Sequence, residues 1–165
     1  MSGQDLNLGR LVHGYWRAHE WGLNAEGYLA LIHDVLSLGI RTFDHAACYG
    51  GFANEEAFGR ALALEKGLRE QMTIVSKCGI VFPNAQLPEM KSKHYNNSRA
   101  HIVWSAERSV EKLQCGYLDL LLIHRPSPCA HPEEIAAAFA GTYCKGIAVP
   151  AEQEYTKGHF RRKVE

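Results

Sequence analysis

The sequence predicts an α/β fold of the (β/α) barrel type. Three short apolar stretches each end on an ionisable residue, at Asp44, Lys77 and His124. Helical patterns separate these stretches, and near-continuous apolar strands that alternate with helices are typical of a parallel sheet covered by helices. No glycine-rich phosphate-binding pattern follows the first strand, which disfavours a doubly wound nucleotide-binding sheet. Because functional side chains of barrels collect at the carboxyl ends of strands, we expect the three ionisable residues at one end of the sheet.

The first half of the chain is predicted to form two strands and two helices. Residues 11–16 indicate a short strand that ends in aromatic residues, and residues 40–43 indicate a second strand. Asn24 is predicted to cap the first helix, which Gly39 ends, and Asn54 is predicted to cap the second helix. The apolar residues at helical spacing are Tyr28, Leu31, Ile32, Val35 and Leu38 in the first helix, and Ala57, Phe58, Ala61 and Leu62 in the second.

The second half is predicted to form strands at residues 73–76 and 118–123. Between them, residues 83–97 are rich in Pro, Asn, Ser and Lys without a clear period, which predicts a long loop that frames a pocket. Ser98 is predicted to cap a helix that Gly116 ends, and a last helix is predicted to begin at Pro132. The buried stripe of the Ser98 helix is expected to comprise Ile102, Ala106, Ser109, Val110 and Leu113.

Composition and charge favour a small-molecule partner. The chain has 165 residues, 46% of them hydrophobic, and a formal net charge of zero, so no overall field attracts nucleic acid or an anionic membrane. The five cysteines form no CxxC pair, which is typical of reduced thiols in a cytoplasmic protein. The N-terminus shows no signal-peptide pattern, and the apolar runs are of strand length. We therefore expect a cytoplasmic protein that binds neither nucleic acid nor membrane.

Four side chains are predicted to share one pocket, namely Asp44, Tyr49, Lys77 and His124. A phenol has an ordinary pKa of about 10 and is a poor proton donor near neutrality, but a nearby ammonium stabilises its phenolate. Lys77 is predicted to play this part for Tyr49, while Asp44 holds the lysine in place. His124 is predicted to donate a hydrogen bond to a substrate oxygen. In this arrangement Tyr49 protonates a carbonyl as another group delivers hydride.

Three motifs in the chain resemble those of the aldo-keto reductases. They are Thr42-Phe43-Asp44 followed by Tyr49-Gly50, then Val75-Ser76-Lys77, and then residues 118–126, which read LDLLLIHRP. Within that family, the Cys-Gly after Lys77 and the Arg-Pro-Ser-Pro after His124 look most similar to the bacterial oxidoreductase-like subgroup. The resemblance runs from about residue 11 to residue 139.

The resemblance implies a (β/α)8 TIM barrel that reduces aldehydes and ketones with NADPH. It implies a catalytic tetrad of Asp44, Tyr49, Lys77 and His124, with Tyr49 as proton donor. It also implies a nicotinamide and substrate contact region formed by Gly14, Tyr15, Trp16 and Asp44. The substrate would be a small carbonyl compound.

The chain is shorter than a complete barrel, which commonly needs about 250 residues. Residues 1–139 are interpreted as the N-terminal half of the barrel, with four or five β/α units, and residues 140–165 as a divergent or truncated C-terminal segment. The strands expected to bind the adenosine phosphate and pyrophosphate of NADPH are missing from this sequence. An unclosed sheet also leaves strand edges open to pairing. Two hypotheses follow: a shortened NADPH-dependent carbonyl reductase, or a non-catalytic half-barrel that acts as an interaction module or homo-oligomer.

A metal site is a weaker alternative for part of this region. Imidazole and thiolate groups suit zinc, and the chain offers His45, Cys48, Cys78 and His124. Their spacing matches no zinc motif, so no metal ligand is predicted.

Overall fold

The computed structural model describes residues 8–85, 88–125, 127–144 and 146–147. Within these residues the strands are Val12–Gly14 (β1), Thr42–Asp44 (β2), Thr73–Cys78 (β3), Ile80–Val81 (β4), His94–Tyr95 (β5) and Leu120–Ile123 (β6). The α-helices are Ala25–Ser37 (α1), Asn54–Leu62 (α2), Arg99–Leu113 (α3) and Pro132–Cys144 (α4). Most of the C-terminal segment predicted at residues 140–165 lies outside the described residues.

The main sheet has four parallel strands in the order β1-β2-β3-β6. Each connection between neighbouring strands contains a helix, and the strand order follows the chain without reversal. A doubly wound sheet reverses its strand order at a switch point, whereas a barrel adds its strands in sequence. The predicted barrel-type fold is confirmed, and the described residues form four of its β/α units.

The core lies between one face of the main sheet and the helices. Alternate residues of each strand point toward the helix layer, as the period of a β-strand requires. Phe43 of β2 and Ile74 of β3 are fully buried there, together with Ile32 of α1, Phe58 of α2 and Ile102 of α3. This packing fixes the strands, and therefore the residues at their carboxyl ends, relative to one another.

Two of the three predicted helix caps are confirmed. The Asn24 side chain accepts a hydrogen bond from the Gly27 amide at 2.9 Å, and Ser98 accepts one from the amide of His101. Asn54 does not cap α2, because Ala53 occupies the cap position and the Asn54 amide binds carbonyl groups elsewhere.

Three further details of the sequence prediction were wrong. Leu38, predicted as an apolar residue of the first helix, follows the end of α1 and is 75% exposed. Helix α3 ends at Leu113 with a left-handed Gln114 at its cap, two residues before Gly116, which also has a positive φ of 75°. Part of the loop predicted at residues 83–97 is a strand, because β5 pairs antiparallel with β4.

Two features bear on the predicted setting of the protein. Cys48, Cys78, Cys115 and Cys129 are free thiols. Among the described residues, the helices are too short or too polar for any of them to cross a membrane.

Candidate active site

Lys77 occupies the centre of the candidate site, near the carboxyl end of β3. Strand pairing places Asp44 beside Val75, so β3 extends past the end of β2 and carries Lys77 beyond it. The Lys77 ammonium donates hydrogen bonds to Asp44 Oδ1 at 2.6 Å, to the His45 carbonyl at 2.8 Å and to Tyr49 Oη at 3.1 Å. An ammonium has three protons to donate, so these acceptors satisfy it and leave it little freedom to move.

The loop that carries Tyr49 turns back toward the strand ends. Gly50, Gly51 and Phe52 have φ angles of 57°, 64° and 74°, so three successive residues adopt the left-handed conformation. Glycine adopts it without strain. A side chain at position 50 is also excluded sterically, because its Cβ would lie 1.9 Å from Asn54 Oδ1. This bend returns the Tyr49 phenol to the Lys77 ammonium.

Phe52 adopts a conformation that is unfavourable for a residue with a side chain. Two contacts hold it in place. The Lys112 ammonium of α3 donates a hydrogen bond to the Phe52 carbonyl, and the Phe52 ring packs against Phe82 with ring centres 4.9 Å apart. The loop that presents Tyr49 is therefore anchored to the helix layer at its far end.

His124 follows β6 and faces Tyr49. The two rings meet edge to face, with centres 5.6 Å apart and an interplanar angle of 80°. Its backbone amide donates to the Cys78 carbonyl at 2.9 Å, which continues the pairing of β6 with β3. Burial lowers the pKa of His124, and the positive charges of Lys77 and Arg125 lower it further, against a smaller opposing effect of Asp44. The imidazole is therefore neutral at pH 7 and can donate one N–H.

Cys48 is the second side chain in contact with His124. Its Sγ lies 3.5 Å from His124 Nδ1. Burial raises the pKa of the Cys48 thiol to about 11, so the thiol stays protonated near neutral pH. A neutral thiol beside a neutral imidazole can fix the orientation of the ring.

The residues predicted to contact a cofactor differ in their exposure: Gly14 and Trp16 are accessible, whereas the Tyr15 side chain is buried. Gly14 pairs with Asp44 at the end of β1, and a Cβ added at Gly14 would meet no atom within 4 Å. Trp16 is 68% exposed. The Tyr15 side chain is fully buried against the helix layer, so only the main chain of this residue could contact a cofactor at the carboxyl end of β1. Gly14 and the Trp16 side chain are therefore accessible at the carboxyl end of β1.

The structure brings Asp44, Tyr49, Lys77 and His124 together at the carboxyl ends of the parallel strands. It also adds groups that the sequence did not assign to this site: the His45 carbonyl on Lys77, and the buried side chains of Glu55 and of Asn54, which was predicted only as a helix cap. Glu55 had a recognisable signal. It lies three residues before Phe58 and seven before Leu62, which is the spacing of the buried face of α2.

Of the four residues of the alternative metal hypothesis, Cys48 and His124 are in contact, but His45 and Cys78 make their contacts elsewhere. The His45 ring lies between the rings of Tyr15 and Phe58, with each pair of centres 4.5 Å apart. The Cys78 thiol donates to the Leu122 carbonyl. In the part of the chain that the structure describes, no three His, Cys, Asp or Glu side chains are grouped to hold a metal ion.

A sequence model of the aldo/keto reductase family matches residues 10–148. The chain belongs to this family. The match includes every residue of the candidate site, so the ammonium, phenol, carboxylate and imidazole described above belong to an aldo/keto reductase sheet.

Curated relatives and solved structures agree with the family assignment. The chain is 47% identical over 143 residues to the uncharacterized oxidoreductase YcsN of Bacillus subtilis, covering 87% of this chain and 48% of the relative. It is 45% identical to the oxidoreductase YdhF of Escherichia coli, covering 87% of this chain and 47% of the relative. The holo form of aldo-keto reductase AKR11C1 from Bacillus halodurans is similar in structure, with a TM-score of 0.72 and 28% identity, over 87% of this chain and 45% of that one. The chain thus spans about half the length of the curated relatives that it matches.

Proposed function

We propose that this chain provides the acid-base site of an NADPH-dependent carbonyl reductase, which converts an aldehyde or ketone into an alcohol. One observation supports the proposal above all others: the Lys77 ammonium lies 3.1 Å from Tyr49 Oη and 2.6 Å from Asp44 Oδ1. An ammonium in this position stabilises a phenolate more than a phenol, which assists proton donation by Tyr49.

The proposed roles follow from charge and position. Tyr49 gives its proton to the carbonyl oxygen, and its phenolate is stabilised by Lys77 until solvent returns a proton. His124 is neutral and donates its N–H to the same oxygen, which holds the carbonyl toward Tyr49. Bound NADPH supplies the hydride that the carbonyl carbon receives. Gly14, Trp16 and Asp44 would hold the nicotinamide. We place the reaction in the cytoplasm, where thiols such as Cys48 stay reduced.

The first test removes the proton donor without changing its ring. With NADPH and 4-nitrobenzaldehyde as probe, Tyr49→Phe is expected to lower kcat/KM by about 100-fold or more, the usual contribution of a positioned acid. The measurement is the loss of NADPH absorbance, and circular dichroism checks folding. Tyr95→Phe is the matched control, because this tyrosine is 41% exposed on the β4-β5 hairpin. A Tyr49→Phe enzyme as fast as the Tyr95→Phe control would refute the role of Tyr49.

A second candidate function is a non-catalytic half-barrel that associates with copies of itself. Within the described residues, β1 and β6 each have one partner strand in the main sheet. Leu11, just before β1, and Val12, its first residue, are 66% and 52% exposed. Unpaired edges with exposed apolar side chains favour strand addition. NADPH fluorescence titration and light scattering separate the two functions. Binding in the micromolar range supports the reductase, whereas no binding at millimolar NADPH together with dimers supports the module.

A further inference from the structure

The first turn of α2 contains two polar side chains that are almost completely buried. Asn54 is 1% exposed and Glu55 is 2% exposed, although asparagine and glutamate side chains are mostly exposed in folded proteins. The acid-base chemistry proposed above assigns a role to neither residue. Their contacts lie on three elements that carry the candidate site.

Asn54 connects the end of β1 to the Tyr49 loop. Its Nδ2 donates to the Tyr15 carbonyl at 2.7 Å and to the Trp16 carbonyl at 3.1 Å. The opposite side of the same amide is in close contact with Gly50, the residue after Tyr49. One side chain therefore fixes the distance between the exposed Trp16 and the loop of the proposed proton donor.

Glu55 connects the same helix turn to β3. Its Oε1 accepts a hydrogen bond from Ser76 Oγ at 2.6 Å, and Ser76 directly precedes Lys77. Burial raises the pKa of the Glu55 carboxyl, so its position costs stability that an apolar side chain on the same helix face would not cost. In some proteins, a buried polar group that costs stability in this way selects one arrangement of its neighbours.

We infer that Asn54 and Glu55 are positioning residues, which hold Trp16, the Tyr49 loop and the Lys77 strand in one fixed arrangement. This inference rests on the proposed function for its consequence in catalysis, because positioning matters only if Tyr49 and Lys77 act together. Neither residue touches the reacting atoms. Glu55 acts through Ser76 on Lys77, and Asn54 acts through backbone carbonyls and Gly50.

The test compares two carboxylates at opposite ends of β3, the buried Glu55 and the partly buried Asp119. Asp119 accepts the Ile74 amide at 2.7 Å near the start of the strand, so Asp119→Ala is the matched control for Glu55→Ala. The readout is the ring signal of Tyr49 in ¹³C-tyrosine spectra, identified by its absence in Tyr49→Phe. Both alanine variants are expected to lose thermal stability. Only Glu55→Ala is expected to shift or split the Tyr49 signal.

Two further variants keep the test decisive if Glu55→Ala does not fold. Ser76→Ala removes the same hydrogen bond from the strand side and is expected to move the Tyr49 signal. Glu55→Gln retains Oε1 as acceptor and is expected to restore the wild-type signal. The inference is overturned if Ser76→Ala leaves the Tyr49 signal unchanged, or if Asp119→Ala moves it as far.

Asn54 has its own readout in the tryptophan spectrum. Asn54→Leu keeps the volume and removes the donor, so the indole N–H signal of Trp16 is expected to move, while that of Trp104 on α3 serves as the internal reference. Equal shifts of both signals, or none, would contradict the role of Asn54. These spectra need neither cofactor nor turnover, so their outcome is independent of whether Tyr49→Phe abolishes reduction. Where reduction is measured, Glu55→Ala is expected to lower kcat at least tenfold with KM within a factor of two or three.

Discussion

Replacing Arg69 by methionine should destabilise the protein strongly, because this arginine ties the amino ends of two strands together. Its guanidinium donates to the carbonyls of Cys115, Met72 and Tyr117, and to Asp119 Oδ2 at 2.7 Å. The same Asp119 oxygen accepts the Ile74 amide of β3. The substitution keeps most of the aliphatic volume and removes every donor.

The expected loss follows from the burial of the partners. The Arg69 and Asp119 side chains are only 10% and 19% exposed, so breaking their ion pair leaves a carboxylate with a single amide donor. Breaking a buried pair costs about 3–5 kcal/mol, and the partial exposure of Asp119 places the expected value near the lower end, at about 3 kcal/mol. For a protein of this size, that corresponds to a fall in Tm of roughly 6–12 °C.

The assay is urea denaturation of the wild type and two variants, followed by circular dichroism. Arg60→Met is the control, because Arg60 pairs with Glu56 one helical turn away on the surface, with side chains 56% and 51% exposed. An exposed pair of this kind contributes only about 0.3–0.5 kcal/mol. If Arg69→Met costs no more than Arg60→Met, the buried network does not stabilise the sheet and the reasoning is refuted.

Two further predictions concern packing and pH. Gly59→Ala should lower the free energy of unfolding in urea by about 2 kcal/mol or more, because its Cβ would lie 2.0 Å from the Lys112 carbonyl oxygen. Gly141→Ala, whose Cβ would meet nothing nearer than 3.9 Å, should raise the free energy of unfolding by about 0.5–1 kcal/mol. Equal effects of the two substitutions would contradict the close approach of α2 and α3. Burial lowers the pKa of His45 to about 3. Below about pH 6.5 this histidine is therefore protonated in the unfolded chain but stays neutral in the folded protein. The free energy of unfolding should consequently fall by about 2 kcal/mol between pH 7 and pH 5. His45→Phe should flatten that pH profile, and an unchanged slope would show that other groups cause it.

Local signals in the sequence predicted the elements that depend on local chemistry. Asn24 and Ser98 cap their helices as expected, because a cap needs only a short polar side chain and the next turn of backbone. The parallel strand order was also predictable, since apolar strands that alternate with helices have few ways to pack.

Elements that depend on distant contacts were not predictable in the same way. Asn54 has the composition of a cap, but its amide binds the Tyr15 and Trp16 carbonyls, which are 38 or 39 positions away. Strands β4 and β5 have two residues each, too few for an alternating pattern to be visible. In both cases tertiary hydrogen bonds decide what the residues do.

The candidate site shows the same division between local and distant signals. Asp44, Lys77 and His124 lie at or beside the ends of apolar strands, so their convergence followed from the predicted sheet. The 3.1 Å contact of Tyr49 with Lys77 depends instead on the left-handed bend at residues 50–52. Gly50 and Gly51 hinted at a turn, but Phe52 in that conformation requires the anchoring contact with Lys112.

The proposed acid-base residues lie on or next to neighbouring strands, so their arrangement does not depend on the other strands of a barrel. Asp44, Lys77 and His124 follow from the pairing of β2 with β3 and of β3 with β6, and Tyr49 lies in the loop between two of these strands. Their mutual geometry is therefore set by adjacent hydrogen-bonded strands and not by closure of a ring. We expect cofactor affinity, in contrast, to depend largely on the strands predicted to bind the adenosine phosphate and pyrophosphate, which are not among the described strands. We therefore expect the Tyr49–Lys77 contact to persist in this chain even where NADPH binds weakly, so that the two properties respond to different substitutions.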